Sequence, residues 1–424
     1  MSGLAIVARA LGAEVTGSDQ ARSSYTERLR AHGIEAALGH DPANLPPGAE
    51  VVVSTAIPES NPELAAARAA KATVLHRGEL LGEVSRLKRS IAIGGTHGKT
   101  TTCAMVVHAL AASGADPSYL VGGELRDTHT NAAWGKGDWI VAEADESDRS
   151  FLHLARDVAV ITSVELDHHA TYRSLGELQA AFDEFAAPAS TRIAGPGVEV
   201  QGSLSYGIDS GEFRAERLEL LPMGSRFEVG GVAVELTVPG RHNVLNALAA
   251  LAACGAAGVE PSRAAPALAG FAGTGRRFEE RGATRGGARV FDDYAHHPTE
   301  VRATLEAART LGARRVIACF QPHLYSRTRE LARGFGRALA LADLAVVVDV
   351  YPARERAEDF PGVSGLMVAQ ATADAGRGRP VWWIPSVEEA AQRLGGELGE
   401  GDVLLTLGAG DVDRLATTLT GPEP

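Results

Sequence analysis

Gly94-Gly95-Thr96-His97-Gly98-Lys99-Thr100-Thr101-Thr102 is the stretch whose reading decides the fold. Before it, Ser90-Ile91-Ala92-Ile93 has the short apolar character of a buried strand. After it, Thr101 to Ala112 is rich in Ala, Met, Val and Leu and predicts a helix. In a strand, glycine loop and helix in that order, backbone N–H groups turn inward around phosphate oxygens and the helix N-terminus adds partial positive charge. Lys99 would then reach the terminal phosphates, and Thr100 would ligate magnesium. The common pattern has a glycine six residues before the lysine. Ile93 stands there instead, followed by Gly94 and Gly95, so the loop is a variant. A plain glycine-rich strand-to-helix turn is the alternative, and Gly-Lys-Thr in this setting argues against it.

At 424 residues the chain exceeds one hydrophobic core, so two or three domains are expected. Its 45% hydrophobic and 22% charged residues are ordinary for a globular protein. The net charge of -12 argues against general nucleic-acid or anionic-membrane binding and leaves room for a local basic pocket for phosphates. Cys103, Cys254 and Cys319 are too widely spaced for a disulfide framework or a zinc knuckle and read as small buried residues. No apolar run has transmembrane length and no signal peptide opens the chain, so a cytoplasmic protein without membrane insertion is expected.

Three segments emerge. Residues 1–88 alternate helix and strand: a helix-like Met1 to Leu11, then Glu14 to Asp19, and a strand Val51-Val52-Val53 ending at Ser54-Thr55. Such a domain normally opens with a strand and a glycine-rich turn, whereas this one begins in the helix. Residues 89–279 carry the phosphate loop, then Trp139-Ile140-Val141-Ala142 ending at Glu143 and Val158 to Thr162 preceding Glu165. Both put acids at the C-terminal ends of strands, where open α/β sheets gather ligands. A glycine-punctuated, strand-like stretch from Val198 to Val238 leads to Pro239-Gly240-Arg241-His242-Asn243, which opens an Ala/Leu-rich helix. Residues 280–424 alternate again, with strands expected at Arg315 to Phe320, Leu344 to Val350 and Val403 to Leu407, and a frayed tail from Gly421. The fold class is α/β with nucleotide-binding sheets.

Glu143-Ala144-Asp145-Glu146-Ser147-Asp148 places four acids within six residues. Alone it reads as a solvated loop, but a magnesium triphosphate needs hard oxygen ligands opposite the loop threonine, and Glu143 is placed to supply one. Glu165-Leu166-Asp167-His168-His169 offers a second metal or phosphate contact, with magnesium favoured over zinc because cysteine ligands are missing.

The loop, that acidic run, Pro239-Gly240-Arg241-His242-Asn243-Val244-Leu245-Asn246 and Arg276-Arg277-Phe278 together resemble the Mur ligases. Asp292-Asp293-Tyr294-Ala295-His296-His297-Pro298, Phe320 to Thr328 and Gly408-Ala409-Gly410-Asp411-Val412 extend the resemblance, in order, almost to the end of the chain. It implies three domains: a Rossmann-like one for a UDP sugar (1–88), a central phosphate-loop ATPase (89–279) and a Rossmann-like amino-acid-binding one (280–424). It also implies a reaction, ATP-dependent joining of L-alanine to the lactoyl carboxylate of UDP-N-acetylmuramate through an acyl phosphate, in peptidoglycan precursor synthesis, by a monomer or homodimer.

Carried over residue by residue, the resemblance gives ATP to Gly95, Thr96, His97, Gly98, Lys99, Thr100, Thr101, Asn243, Asn246, Arg277, Asp293 and His297. Thr100 and Glu143 would hold one Mg2+ (or Mn2+), and His168 a second. His323 and Arg327 would take the alanine carboxylate, since a guanidinium fork suits it. Ser18, Asp19, Ser54, Thr55 and Asn131 would face the UDP sugar. Simple helix capping competes for Asn243, a surface ion pair for Arg277 and a buried structural role for His297. Closure of the third domain is expected to complete the site.

Four positions depart from the family pattern. Leu324 stands where some relatives have a second arginine, Arg149 where glycine is usual and Ser163 where asparagine is usual. Met1 sits where the family's first glycine-rich turn ends, which predicts a start downstream of the true one or a form lacking its first strand. The alternatives are the recycling ligase that joins a tripeptide to the same sugar, the more distant folylpolyglutamate synthetases, and a nonenzymatic nucleotide-binding protein.

Overall fold

The computed structural model describes residues 1–421. Contacts divide it into two compact units. The first contains Met1–Leu166, Thr171–Arg214 and Asn246–Leu268; the second contains Asp167–Ala170, Ala215–Leu245 and the chain from Ala269 on.

The first unit is built on an eight-stranded sheet. Its spatial order is Phe213–Arg214, Leu204–Gly207, Thr191–Ala194, Val158–Ile161, Arg89–Gly94, Trp139–Glu143, Ser118–Leu125 and Thr130–Ala133. All neighbours are parallel except the last pair. Arg89–Gly94 runs between Trp139–Glu143 and Val158–Ile161, and every residue from Ser90 to Gly94 is buried. A parallel strand covered on both faces needs a continuous apolar run rather than an alternating one, and the sequence supplies it. The helix Lys99–Ala112 follows; ten of its residues are buried, from Thr100 through Leu110, as in a helix enclosed on most sides.

The same unit begins with the helix Ser2–Ala10, whose Leu4 and Val7 join a core with Leu120, Ala132 and Ile140. Two short parallel pairs accompany it, Gly17–Asp19 with Ala36–Leu38 and Val51–Val53 with Val74–His76.

The second unit centres on a six-stranded sheet ordered Glu279–Ala283, Arg289–Asp293, Asp402–Leu407, Arg315–Phe320, Leu344–Val347 and Val381–Trp383. Only the first pair is antiparallel. Successive residues of a strand point to opposite faces, and Arg315–Phe320 feeds two cores that way. Val316, Ala318 and Phe320 enter one cluster with Leu305 and Phe335; Ile317 and Cys319 enter another with Leu394 and Leu415. The strand-like stretch from Val198 to Val238 resolves into five strands split between the units. Glu216–Leu221, Gly224–Val229 and Val232–Leu236 form an antiparallel sheet in the second.

Candidate active site

In the first unit, the loop after the strand Arg89–Gly94 is shaped by two glycines. Gly95 has φ 122° and Gly98 φ 81°, both in the region that side chains rarely adopt. A Cβ on Gly95 would lie 2.2 Å from Thr162 Oγ1, and one on Gly98 2.4 Å from Asn246 Oδ1, so the backbone approaches its neighbours too closely for any other residue. Thr96 Oγ1 donates to the Glu165 carbonyl (3.0 Å) and accepts from the Glu165 amide (2.9 Å), tying the loop to the end of Val158–Ile161. The His97 amide donates to Ser163 Oγ at 3.0 Å, so serine serves the loop where the family pattern has asparagine. His97 Nε2 lies 3.0 Å from Glu165 Oε2.

Lys99 and Thr100 meet the acids at the next strand's end. Thr100 Oγ1 donates to Glu143 Oε1 at 3.0 Å, and the Gly122 amide donates to Glu143 Oε2 at 2.6 Å. Lys99 Nζ donates to the carbonyls of Gly95 (2.6 Å) and Thr96 (3.2 Å) and to both oxygens of Glu146 (3.2 and 2.9 Å). Burial disfavours the Lys99 ammonium, but Glu146, Asp145 and Glu143 outweigh it and hold the pKa above the usual lysine value. Sequence reasoning gave Glu146 no role; its sole signal was its place three residues past Glu143. Thr101 is buried in the helix's first turn, and Asn246 accepts from Thr102 Oγ1 at 3.3 Å.

The UDP-sugar candidates lie in the same unit. Ser18 Oγ donates to Glu63 Oε2 (2.6 Å) beside His40 Nδ1 (2.8 Å), and Asp19 Oδ1 accepts from the Ala21 amide at 3.2 Å. Ser54 and Thr55 follow the strand Val51–Val53, half-buried and exposed respectively. Asn131 is buried and donates to the Val121 carbonyl at 3.2 Å, with Arg28 Nη1 3.5 Å from its oxygen. Arg28 also pairs with Glu124, a contact the sequence did not signal.

The second unit gathers the remaining candidates. Arg327 is 4% exposed, and its Nε and Nη2 donate to the two oxygens of Asp167 at 3.0 and 3.1 Å, a fork-on-carboxylate pair. Its Nη1 lies 3.1 Å from His323 Nδ1. Burial raises the Asp167 pKa, but Arg327, His168 and His296 outweigh it and hold the carboxyl far below its usual range. Burial, Arg327 and His296 push His323 down to about 3, so the imidazole is neutral. His168 stands at φ 53°, its Nε2 3.8 Å from Asp167 Oδ2. Leu324 is 8% exposed at φ 69°, and its amide donates to the Tyr351 carbonyl at 3.0 Å; it turns no charge toward this cluster.

Arg277 lies over the Tyr294 ring (5.3 Å) and 3.9 Å from Glu300. Asp293 ends the strand Arg289–Asp293, and its oxygens accept the amides of Phe278 and Ala295, both at 2.8 Å. Burial pushes its pKa up to about 6 against the pull of Arg277. His297 caps the helix Pro298–Arg309, its ring accepting the Thr299 amide at 3.4 Å. The Asn243 side-chain amide donates to the Pro239 carbonyl at 2.7 Å, just before the helix Arg241–Ala256.

Comparison with known proteins gives this geometry a context. Three family models match in succession: "Mur ligase family, catalytic domain" over residues 1–89, "Mur ligase middle domain" over 93–254 and "Mur ligase, glutamate ligase domain" over 276–410. The chain is 44% identical to the UDP-N-acetylmuramate--L-alanine ligase of Rubrobacter xylanophilus, covering 99% of this chain and 96% of that one. It is 46% identical to the ligase of the same name from Kineococcus radiotolerans, covering 100% and 93%. Among solved structures, the UDP-N-acetylmuramate-alanine ligase of Thermotoga maritima superposes with a TM-score of 0.85 at 28% identity, over 99% of this chain and 95% of that one. A murein peptide ligase from Psychrobacter arcticus gives 0.72 at 26% identity, over 100% and 97%. Consecutive matches of this extent, on a sheet whose strand ends carry the loop and its acids, identify the chain as a member of the Mur ligase family.

Proposed function

We propose that the chain is an ATP-dependent ligase joining L-alanine to the lactoyl carboxylate of UDP-N-acetylmuramate, with release of ADP and phosphate, in the cytoplasm. The observation that carries the reading is the joined end of two adjacent parallel strands, where Lys99 and Thr100 meet Glu146 and Glu143 across the glycine loop. The names borne by the Rubrobacter and Kineococcus relatives support the choice of sugar and amino acid. The segments 1–88, 89–279 and 280–424 serve the sugar, ATP and amino acid in turn.

A carboxylate is a poor electrophile, so the lactoyl carboxylate first attacks the γ-phosphorus of ATP and ADP leaves. The acyl phosphate so formed is attacked by the amine of alanine, which loses a proton, and the tetrahedral intermediate expels phosphate. Such chemistry needs positioning and charge neutralisation rather than a protein nucleophile. Lys99 supplies its ammonium to the β and γ phosphates, and the loop amides surround them. Thr100 Oγ1 and the Glu143 carboxylate, hard oxygens 3.0 Å apart, fit a magnesium or manganese ion, with His168 assigned to a second. When bound, such an ion neutralises phosphate charge. Asn246, Asn243 and Arg277 serve the nucleotide, Ser18, Asp19, Ser54, Thr55 and Asn131 the UDP sugar. His323 and Arg327 receive the amino acid's carboxylate.

The test is a product assay with ATP, magnesium and UDP-N-acetylmuramate over L-alanine, glycine, L-serine and the murein tripeptide. L-alanine is expected to give the highest kcat/KM. Preference for the tripeptide would move the reading to a recycling ligase, and phosphate release indifferent to any amine would overturn it.

A further inference from the structure

The pairing of Lys99 with Glu146 is not used by that chemistry. Glu146 begins the short helical turn Glu146–Asp148 just beyond the strand Trp139–Glu143 and is 1% exposed. Its two carboxylate oxygens lie 3.2 and 2.9 Å from Lys99 Nζ. An ammonium has three donors, and the other two go to the carbonyls of Gly95 and Thr96 at 2.6 and 3.2 Å. Glu146 is the one anion among those three acceptors.

The turn that carries it is held in place. The fully buried Tyr172 donates its hydroxyl to the Glu146 carbonyl at 2.8 Å, Thr171 Oγ1 donates to the Ser147 carbonyl at 2.6 Å, and Asp145 Oδ1 accepts the Ser147 amide at 3.0 Å. Arg77 Nη2 lies 3.3 Å from Asp145 and 3.5 Å from Asp148, so the neighbouring acids have a cation of their own. Burial raises the Glu146 pKa to about 7, with Lys99 pulling the other way. Burying either charge without the other would be strongly unfavourable. A polyphosphate entering the loop needs donors that are already committed, and the loop carbonyls are part of the cradle itself.

We propose that Glu146 is the positioning residue of Lys99: its carboxylate stands in for phosphate while the loop holds no nucleotide, keeping the ammonium charged and aimed, and yields it when a nucleotide polyphosphate arrives. The proposal rests on the reading of the loop as a nucleotide site. A residue with a merely structural role would stabilise the empty and filled protein alike, whereas a phosphate surrogate matters chiefly in the empty one.

The experiment compares thermal unfolding and calorimetric binding of the full-length protein, wild type and Glu146→Gln, with and without a nonhydrolysable ATP analogue and magnesium. Alone, Glu146→Gln is expected to melt several degrees below wild type. With saturating analogue the gap should shrink to less than half, because phosphate supplies the missing anion, and the Kd for the analogue should be no weaker than wild type. Glu146→Asp, which keeps the charge one methylene further away, should restore an intermediate melting temperature; it carries the same comparison if the glutamine variant does not fold. An undiminished gap, or a Kd weakened about tenfold, would overturn the proposal. A wild-type protein whose melting the analogue does not move would overturn the nucleotide-site reading instead, and this inference with it.

Discussion

Gly98 combines two constraints at one residue: φ of 81° and an Asn246 oxygen where a Cβ would go. Gly98→Ala is therefore expected to cost about 1–2 kcal/mol from backbone strain alone and to weaken ATP binding by about tenfold as the loop shifts; calorimetry giving wild-type affinity would contradict this. Arg327→Lys keeps the charge but loses the fork that grips Asp167, so the KM for alanine should rise about tenfold while the KM for ATP stays put. Steady-state kinetics with each substrate varied in turn separates the two. The placement of Lys99, Thr100 and Glu143 was legible in the sequence because local geometry fixes it: the start of the helix after the loop and the last residue of a strand. Glu146 and Asp167 were not assigned, since what distinguishes them is a partner chosen by turn geometry over 47 and 160 residues. The departure at position 149 has a visible physical meaning: Arg149 adopts φ 62°, a conformation that suits the glycine usual in the family.

At the scale of elements, strands with unbroken apolar runs were readable, and Arg89–Gly94, Val158–Ile161 and Arg315–Phe320 form where the runs predicted. The division of residues 198–238 between two sheets was not, because short alternating strands choose partners through pairing that no local pattern encodes. In the second unit, Phe335 on the helix Tyr325–Leu339 is fully buried with its ring 4.8 Å from that of Phe320. That helix also carries Arg327, so its seating on the sheet positions the fork. Phe335→Ala should destabilise the protein by about 3–5 kcal/mol, read as a lowered urea midpoint. A loss below 1 kcal/mol would mean the helix is held mainly by other contacts.

For the molecule as a whole, three half-buried histidines of the second unit set an acid limit. Burial holds His242 and His296 down to about 4 and His323 to about 3, against a usual 6.5. A histidine whose folded pKa is depressed binds its proton more readily when unfolded, so stability is full above pH 6.5 and falls as pH drops through the window from 6.5 to about 4. Asp293 and Glu146, whose carboxyl values burial raises to about 6 and about 7, take up protons in the folded state and offset part of this fall. The histidine contribution is therefore read as a difference: between pH 6.5 and 4 the urea midpoint of His242→Gln should fall less than that of the wild type, and equal falls would contradict the neutral assignment. Among the described residues no helix is long and apolar enough to cross a membrane. The central claim concerns an activity of the whole chain, and assays of that activity test it. The most direct is phosphate release from ATP by the purified protein, wild type and Lys99→Ala, with UDP-N-acetylmuramate and L-alanine supplied singly and together. The account predicts sustained release only from the wild type with both substrates present, and none above background from the variant; release that ignores either substrate, or that survives in Lys99→Ala, would contradict it.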